Sequence, residues 1–181
     1  MNPEPSFNIQ PTLENDIVLL LPLHINDFDS LYELGSDPLI WEQHPNQDRW
    51  KLEAFTNYFE GAVRSRRAFK IVYKPDGELA GCTRIYDYVV EENSIKIGYT
   101  FIARKFWSKG INPAAKKLLL DYLFQYVEKV QFHIGSKNIR SQIAIGKLGA
   151  KKISEEEIAY YGEPPKLNYL YQIEKADWVG R

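Results

Sequence analysis

The run Ser108-Lys109-Gly110-Ile111-Asn112 sets one glycine and a stretch of bare backbone amides directly in front of an apolar helical pattern. Amides that converge at a helix N-terminus form an anion site, because their N–H groups lack intrahelical partners and the helix dipole favours negative charge. Gly110 lets the backbone take positive φ or come close to a ligand, and Lys109 adds a charge. The same residues also make an ordinary strand-to-helix turn, and the loop alone fits both readings. It lacks the Gly-Lys-Ser/Thr ending of a Walker loop and the three glycines of a dinucleotide fold. About thirty residues on, Asn138, Ser141 and Ile145 fall at i, i+3 and i+7 and share one helix face. Asn138 also suits a plain helix cap. The three histidines, His24, His44 and His133, are scattered and give no metal-site spacing. Cys82 sits in a strand pattern and reads as a buried, inert thiol.

These residues need elements to position them. "DIVLLLPL" predicts a first strand ended by Pro22, and "INDFDSLYELGSD" a helix capped by Asn26 and stopped at Gly35. "PLIWEQHPNQD" reads as a loop, and "RWKLEAFTNYFEGAVRSRR" as a second helix with Trp50, Phe55, Tyr58 and Phe59 on its apolar face. Trp41, Trp50, Tyr58 and Phe59 fit either a substrate cleft or a packed core. The period then changes. "FKIVYKPDGELAGCTRIYDY" is a hairpin around Pro-Asp-Gly, and "EENSIKIGYTFI" adds a third strand. In the next helix Asn112 is expected as the cap and Pro113 as the first helical residue, with Leu118, Leu119, Tyr122, Leu123, Tyr126 and Val127 as its apolar stripe. "VQFHI" predicts a strand, "NIRSQIAIGKLG" a helix, and "AKKISEEEIAYYG" with "KLNYLYQIE" a closing pair of strands. The acidic run Glu155 to Glu157 fits an acidic cleft or a solvated strand edge, and Arg64 to Arg67 a site for an acidic partner or, more readily, a solvated helix end.

The bulk numbers bound the possibilities. The 181 residues, 44% hydrophobic and 26% charged, suit one domain with one substantial core, 1–181, of which 1–15 with its three prolines is an arm. A net charge of -1 gives no global attraction to nucleic acid or anionic membrane. One cysteine excludes an internal disulfide and favours a reducing compartment. No basic and apolar leader opens the chain and no run is long enough to span a bilayer, so a cytoplasmic protein is expected.

Strand, amide loop, helix, strand, Asn-x-x-Ser helix and Leu-Gly turn follow in that order. Together they resemble the GNAT superfamily of N-acetyltransferases, and most closely its RimJ/RimL-like branch, which includes ribosomal-protein N-terminal acetyltransferases. "TLENDIVLLLPLHINDFDSLYELGSDPLIWE" looks like that branch's opening strand and helix. "IKIGYTFIARKFWSKGINPAAKKLLLDYLF" looks like its central strand, cofactor loop and helix, and "NIRSQIAIGKLGA" like its second cofactor helix. The resemblance covers nearly the whole chain. It implies an α/β GNAT fold, a mixed central sheet of about six to seven strands flanked by about four helices.

The resemblance also implies an activity and a site: direct transfer of acetyl from acetyl-CoA to a primary amine, either a protein N-terminus or a small molecule. The central strand matches at Phe101, Ile102 and Ala103, whose backbone would meet the pantetheine arm. The amides of Ser108, Lys109, Gly110, Ile111 and Asn112 would hold the pyrophosphate, and Asn138 would contact the pantetheine arm. Ser141 matches a serine near the thioester sulfur and would serve as general acid. The family loop reads Gln/Arg-x-x-Gly-x-Gly/Ala, from which Trp107 and Asn112 depart. The slot of a frequent tyrosine acid holds Ile145, and Lys96 stands where the central strand often carries a glutamate. No base is assigned; Glu42, His44 and Asp87 are candidates by residue type. Those departures equally fit a GNAT-like module that binds CoA without turnover, and an aminoglycoside or polyamine acetyltransferase is a further alternative. A monomer or a homodimer is expected, with no metal.

Overall fold

The computed structural model describes residues 5–159 and 164–178. Residues 160–162, the end of the expected strand after Ala150, and residues 1–4 of the expected arm lie outside them. Eight strands form one sheet in the order β1-β2-β3-β4-β5-β6-β8-β7. They are β1 (Leu13–Glu14), β2 (Val18–Pro22), β3 (Ala68–Tyr73), β4 (Glu78–Val89), β5 (Ser94–Ile102), β6 (Lys129–Gly135), β7 (Lys151–Ile158) and β8 (Lys166–Glu174). All neighbours run antiparallel except β5 and β6. A parallel pair needs a crossover, here α4 (Ile111–Leu123). The other helices are α1 (Phe28–Gly35), α2 (Pro38–Trp41), α3 (Leu52–Ser65), α5 (Ile139–Lys147) and α6 (Lys175–Trp178). The sheet and helices exceed the expected number through short pieces: β1 has two residues, α2 and α6 four each.

The sheet buries both faces. On one, Val18, Leu20, Phe69, Ile71, Ile85, Ile95, Ile97, Val130 and Phe132 pack with Leu119, Leu120 and Leu123 of α4 and Ile145 of α5. On the other, Ala68, Cys82 and Phe101 pack with Leu31 of α1, Trp41 of α2, and Phe55, Tyr58 and Phe59 of α3. Burial pushes the Cys82 thiol up to about 11, as an inert core residue requires.

Several local expectations shift. The segment expected as one loop before α3 contains α2, whose first turn is set by Asp37 accepting from Leu39 N and by Pro38 at N1. The first helix begins with a 3-10 turn at Ile25–Asp27 before α1, so Asn26 lies inside that turn and is not its cap. The N-cap of α4 is Gly110, not Asn112, and Pro113 is the third helical residue. The buried face of α4 is Ile111, Ala114, Ala115, Lys116, Leu119, Leu120 and Leu123; Leu118 is only half-buried and Tyr126 is exposed. In the arm, Phe7 stacks on Tyr126 with centroids 4.3 Å apart, and Gln10 Nε2 donates to Ala68 O at 2.6 Å. Among the described residues no helix is long and apolar enough to cross a membrane.

Candidate active site

Strands β5 and β6 pair only over Ser94–Lys96 and Lys129–Gln131. Beyond that point β5 continues with β4, β6 continues with β8, and the two diverge. The cause is a bulge. Arg84 pairs with Gly98 and Cys82 with Phe101, so Thr83 alone faces both Tyr99 and Thr100. Tyr99 takes φ 52 there, a conformation disfavoured for a bulky residue, and it is pinned from both faces. On one, Tyr58 Oη donates to Tyr99 O at 2.6 Å. On the other, Lys116 Nζ donates to Thr100 Oγ1 at 2.6 Å and to Thr83 Oγ1 at 3.2 Å. The parted strands open a cleft of about 600 Å³ lined by Ile97–Ile102 on one side and Phe132–Gly135 on the other.

At one end the cleft meets the loop before α4. Ser108 (φ 72) and Gly110 (φ 73) are both left-handed, and alternating conformations of this kind turn amides toward a common concavity. Ile111 and Asn112, at the first two helical positions, have N–H groups with no carbonyl one turn earlier in the helix. A Cβ on Gly110 would meet nothing within 4 Å, so the glycine answers to its backbone angle and leaves open space above it. Ser108, Gly110, Ile111 and Asn112 all line the cleft. Lys109 does not: its amide donates to Phe106 O at 3.2 Å, and its Nζ lies 5.0 Å from the Tyr73 ring centroid. Trp107 lines the cleft edge, with its indole donating to Ile102 O at 2.9 Å.

Helix α5 forms the opposite wall. Asn138 is its N-cap, with Oδ1 accepting from Ser141 N at 3.2 Å. That leaves Nδ2 without a hydrogen-bond partner among the described residues, beside the cleft. Ser141, Ala144 and Ile145 continue the same face into the cleft, and Ile145 is also a core residue. Of the remaining expected positions, Phe101 and Ile102 line the cleft. Ala103 lies outside the lining and bonds its amide to Ala80 O at 2.9 Å.

The other end of the cleft lies on the α1–α3 face. In β6, Val130, Phe132 and Ile134 pack on the α4 side, so the alternation turns His133 the opposite way. Its Nε2 is 3.0 Å from Glu156 Oε2, and its Nδ1 is 3.5 Å from Tyr86 Oη. Nε2–H therefore donates to the carboxylate, and the Nδ1 lone pair accepts no more than a long, weak contact from Tyr86 Oη. Burial, then Lys96, lowers the His133 pKa, so the ring is neutral at pH 7. Ser154 Oγ donates to Glu156 Oε1 at 3.0 Å and fixes that carboxylate in turn. Of the three base candidates read by type, Glu42 pairs with Arg140 at 3.1 Å and Asp87 with Lys96 at 3.4 Å. His44 lines the cleft, but its Nε2 is 3.2 Å from Arg49 Nη1, which can only donate. Its Nδ1 lies 3.0 Å from the Asn46 amide, which donates to it, and 3.3 Å from Asn46 O, so neither ring nitrogen is spare. Burial, then Arg49, lowers its pKa well below the usual range.

Lys116 and the His133–Glu156 pair went unread in the sequence. Lys116 lines the cleft at 4% exposure, held by the two threonine hydroxyls, and burial pushes its amine down to about 7. Its spacing, one turn before Leu119 and Leu120, was the available signal. For Glu156 the signal was period-2 alternation: Glu155 and Glu157 are exposed and Glu156 turns inward.

The sequence profile of a family described as "Acetyltransferase (GNAT) domain" matches residues 18–151. No curated protein sequence matches the chain. Among solved structures, a T. thermophilus protein assigned as an acetyltransferase superposes with TM-score 0.78 at 26% identity, covering 94% of this chain and 93% of its own. Spermidine N-acetyltransferase from Vibrio cholerae, solved with CoA and spermine, gives TM-score 0.69 at 15% identity, with 91% and 99% covered. Microcin C7 self immunity acetyltransferase, solved with acetyl-CoA and AMP, gives 0.71 at 15%, with 88% and 93% covered. At 15% identity the likeness speaks for the fold alone.

Proposed function

The chain belongs to the GNAT acetyltransferase family, and on that premise we propose that its cleft binds acetyl-CoA and transfers acetyl directly to a primary amine. One observation carries this reading. A single cleft runs from the free amides at Gly110, through the parting of β5 and β6, to the neutral imidazole of His133. The residues fit the cosubstrate. The amides of Ile111 and Asn112 and the open space over Gly110 suit a diphosphate. Asn138 Nδ2 suits a pantetheine carbonyl, and the unpaired edge of β5 suits an extended amide-bearing arm.

When bound, acetyl-CoA supplies a thioester carbonyl open to attack. The chain's own residues then have separate tasks. His133 Nδ1 takes the proton that the amine loses, and Glu156 on Nε2 stabilises the imidazolium. Ser141, one helical turn past Asn138 on the same face, is placed to give a proton to the departing sulfur. Tyr58 and Lys116 hold the bulge that keeps the strands apart.

The acceptor is a protein N-terminus, as in the RimJ/RimL-like branch, or a small-molecule amine, as the spermine in the Vibrio cholerae structure suggests. The single buried Cys82 supports a reducing, cytoplasmic setting. The test is release of CoA thiol from acetyl-CoA across a panel of short peptides, polyamines and aminoglycosides. Turnover with any of them supports the enzyme. A chain that binds acetyl-CoA and turns over none supports the second reading, a CoA-binding module. Ile145 in the tyrosine slot and Lys96 locked to Asp87 favour that alternative.

A further inference from the structure

The cleft's diphosphate end is short of permanent positive charge on its own loop. Lys109 lies over Tyr73 and Phe106, outside the lining, with its Nζ 5.0 and 5.2 Å from the two ring centroids. Lys105 pairs with Glu78 and Arg104 with Asp37. Two lining residues carry a basic amine or guanidinium, Lys116 and Arg140. Lys116 is enclosed under the bulge and bonded to Thr83 and Thr100. Arg140 is different. It sits in the first turn of α5, and its guanidinium stacks on Trp107 across the cleft, 4.5 Å from the ring centroid. Its charge therefore stands beside the amide loop, although its backbone belongs to the facing wall.

That guanidinium is already claimed. Nη1 bonds to Glu42 Oε1 at 3.1 Å and Nη2 to Leu39 O at 3.4 Å. Both partners of the ion pair are partly exposed, at 36% and 49%, so the pair is weak and exchangeable. Arg140 N is separately held by Gln43 Oε1 at 3.2 Å, which fixes the helix end whatever the side chain does.

We infer that Arg140 is a binding residue for the diphosphate of the cosubstrate, reached from the wall opposite the amide loop, and that Glu42 competes for it. The inference rests on the acetyl-CoA reading. A planar guanidinium suits a phosphate better than an ammonium does, since two parallel N–H groups meet two oxygens. Trp107, anchored by its own bond to Ile102 O, holds the guanidinium beside the loop. Glu42, the C-cap residue of α2, ties the α2 segment to α5 until an anion replaces it.

The test is calorimetric titration of CoA, and of pantetheine, which lacks the diphosphate, into the full chain and its variants. Arg140→Gln should weaken CoA roughly tenfold and leave pantetheine unchanged. Glu42→Gln should tighten CoA by about threefold, because the competitor is gone. Gln is an adequate helix former, so both variants should fold, as melting temperature will show. Unchanged CoA affinity in Arg140→Gln overturns the inference, as does an equal loss for CoA and pantetheine, which would make Arg140 only a brace. Unchanged affinity in Glu42→Gln overturns the competition. A wild-type chain that takes no CoA overturns the acetyl-CoA reading itself.

Discussion

Nε2 of His133 and Oε2 of Glu156 stand 3.0 Å apart, on strands β6 and β7 that the sheet separates by β8. A carboxylate on one ring nitrogen fixes the tautomer and leaves the other nitrogen basic. Loss of that base should cost on the order of 10²–10⁴ in kcat/KM for an accepted amine. His133→Gln should give that loss with acetyl-CoA affinity intact. The wild-type rate should rise with pH through a pKa below 6.5, since burial lowers it. That acid limb should vanish in the variant. A variant with wild-type rate and the same limb would remove His133 from the chemistry.

Lys116 makes stability depend on pH. Its amine titrates at about 7 in the fold, against an ordinary 10.5. Between those values the unfolded chain binds a proton that the folded chain does not. Stability should therefore fall as pH drops from about 10.5 to 7, by up to about 1.4 kcal/mol per unit, and level off below. Lys116→Met should flatten that slope. Denaturant melts at pH 7.5 and 9.5 check it; equal slopes in both proteins would show that the amine is charged throughout.

Asn138 serves two ends. Oδ1 caps α5, and Nδ2 faces the cleft. Asn138→Asp keeps the cap, since Asp caps about as well, but replaces a donor with a charged acceptor. CoA affinity should fall while melting temperature holds. A silent change, with affinity and melting temperature both unaltered, would leave Asn138 as a cap and nothing more.

Ser141→Ala should lower kcat toward the low end of the range for a general acid, about 10², because a thiolate already leaves fairly well at neutral pH. Steady-state kinetics on any accepted amine decide it. An unchanged kcat would leave solvent or the amine as the proton source.

The half of the cleft built from the amide loop and α5 was legible because its signals are local. Gly110, the apolar helix after it and the Asn138–Ser141 face are each read within one turn or two. Even there the helix start was misplaced. Pro113 is tolerated at any position of the first turn, where N–H groups have no partner, so it could not distinguish N1 from N3. The half at His133 was illegible for a physical reason. His133 and Glu156 meet only because β8, last in sequence, inserts between β6 and β7. That pairing is non-local and no spacing announces it. The bulge at Tyr99 is similar, since it exists only against Thr83 of the neighbouring strand.

The most direct test of the acetyl-CoA cleft is calorimetry of acetyl-CoA with the wild-type chain and with Gly110→Asp. Gly110 sits at φ 73 in open space, and Asp is among the residues that tolerate that angle. The variant should therefore fold, with a modest loss of melting temperature for the left-handed angle. Its new carboxylate would stand where the diphosphate belongs. Wild type should bind acetyl-CoA, and Gly110→Asp should lose roughly a hundredfold or more in affinity. A folded variant that binds acetyl-CoA as tightly as wild type would contradict the assignment and move the cosubstrate elsewhere.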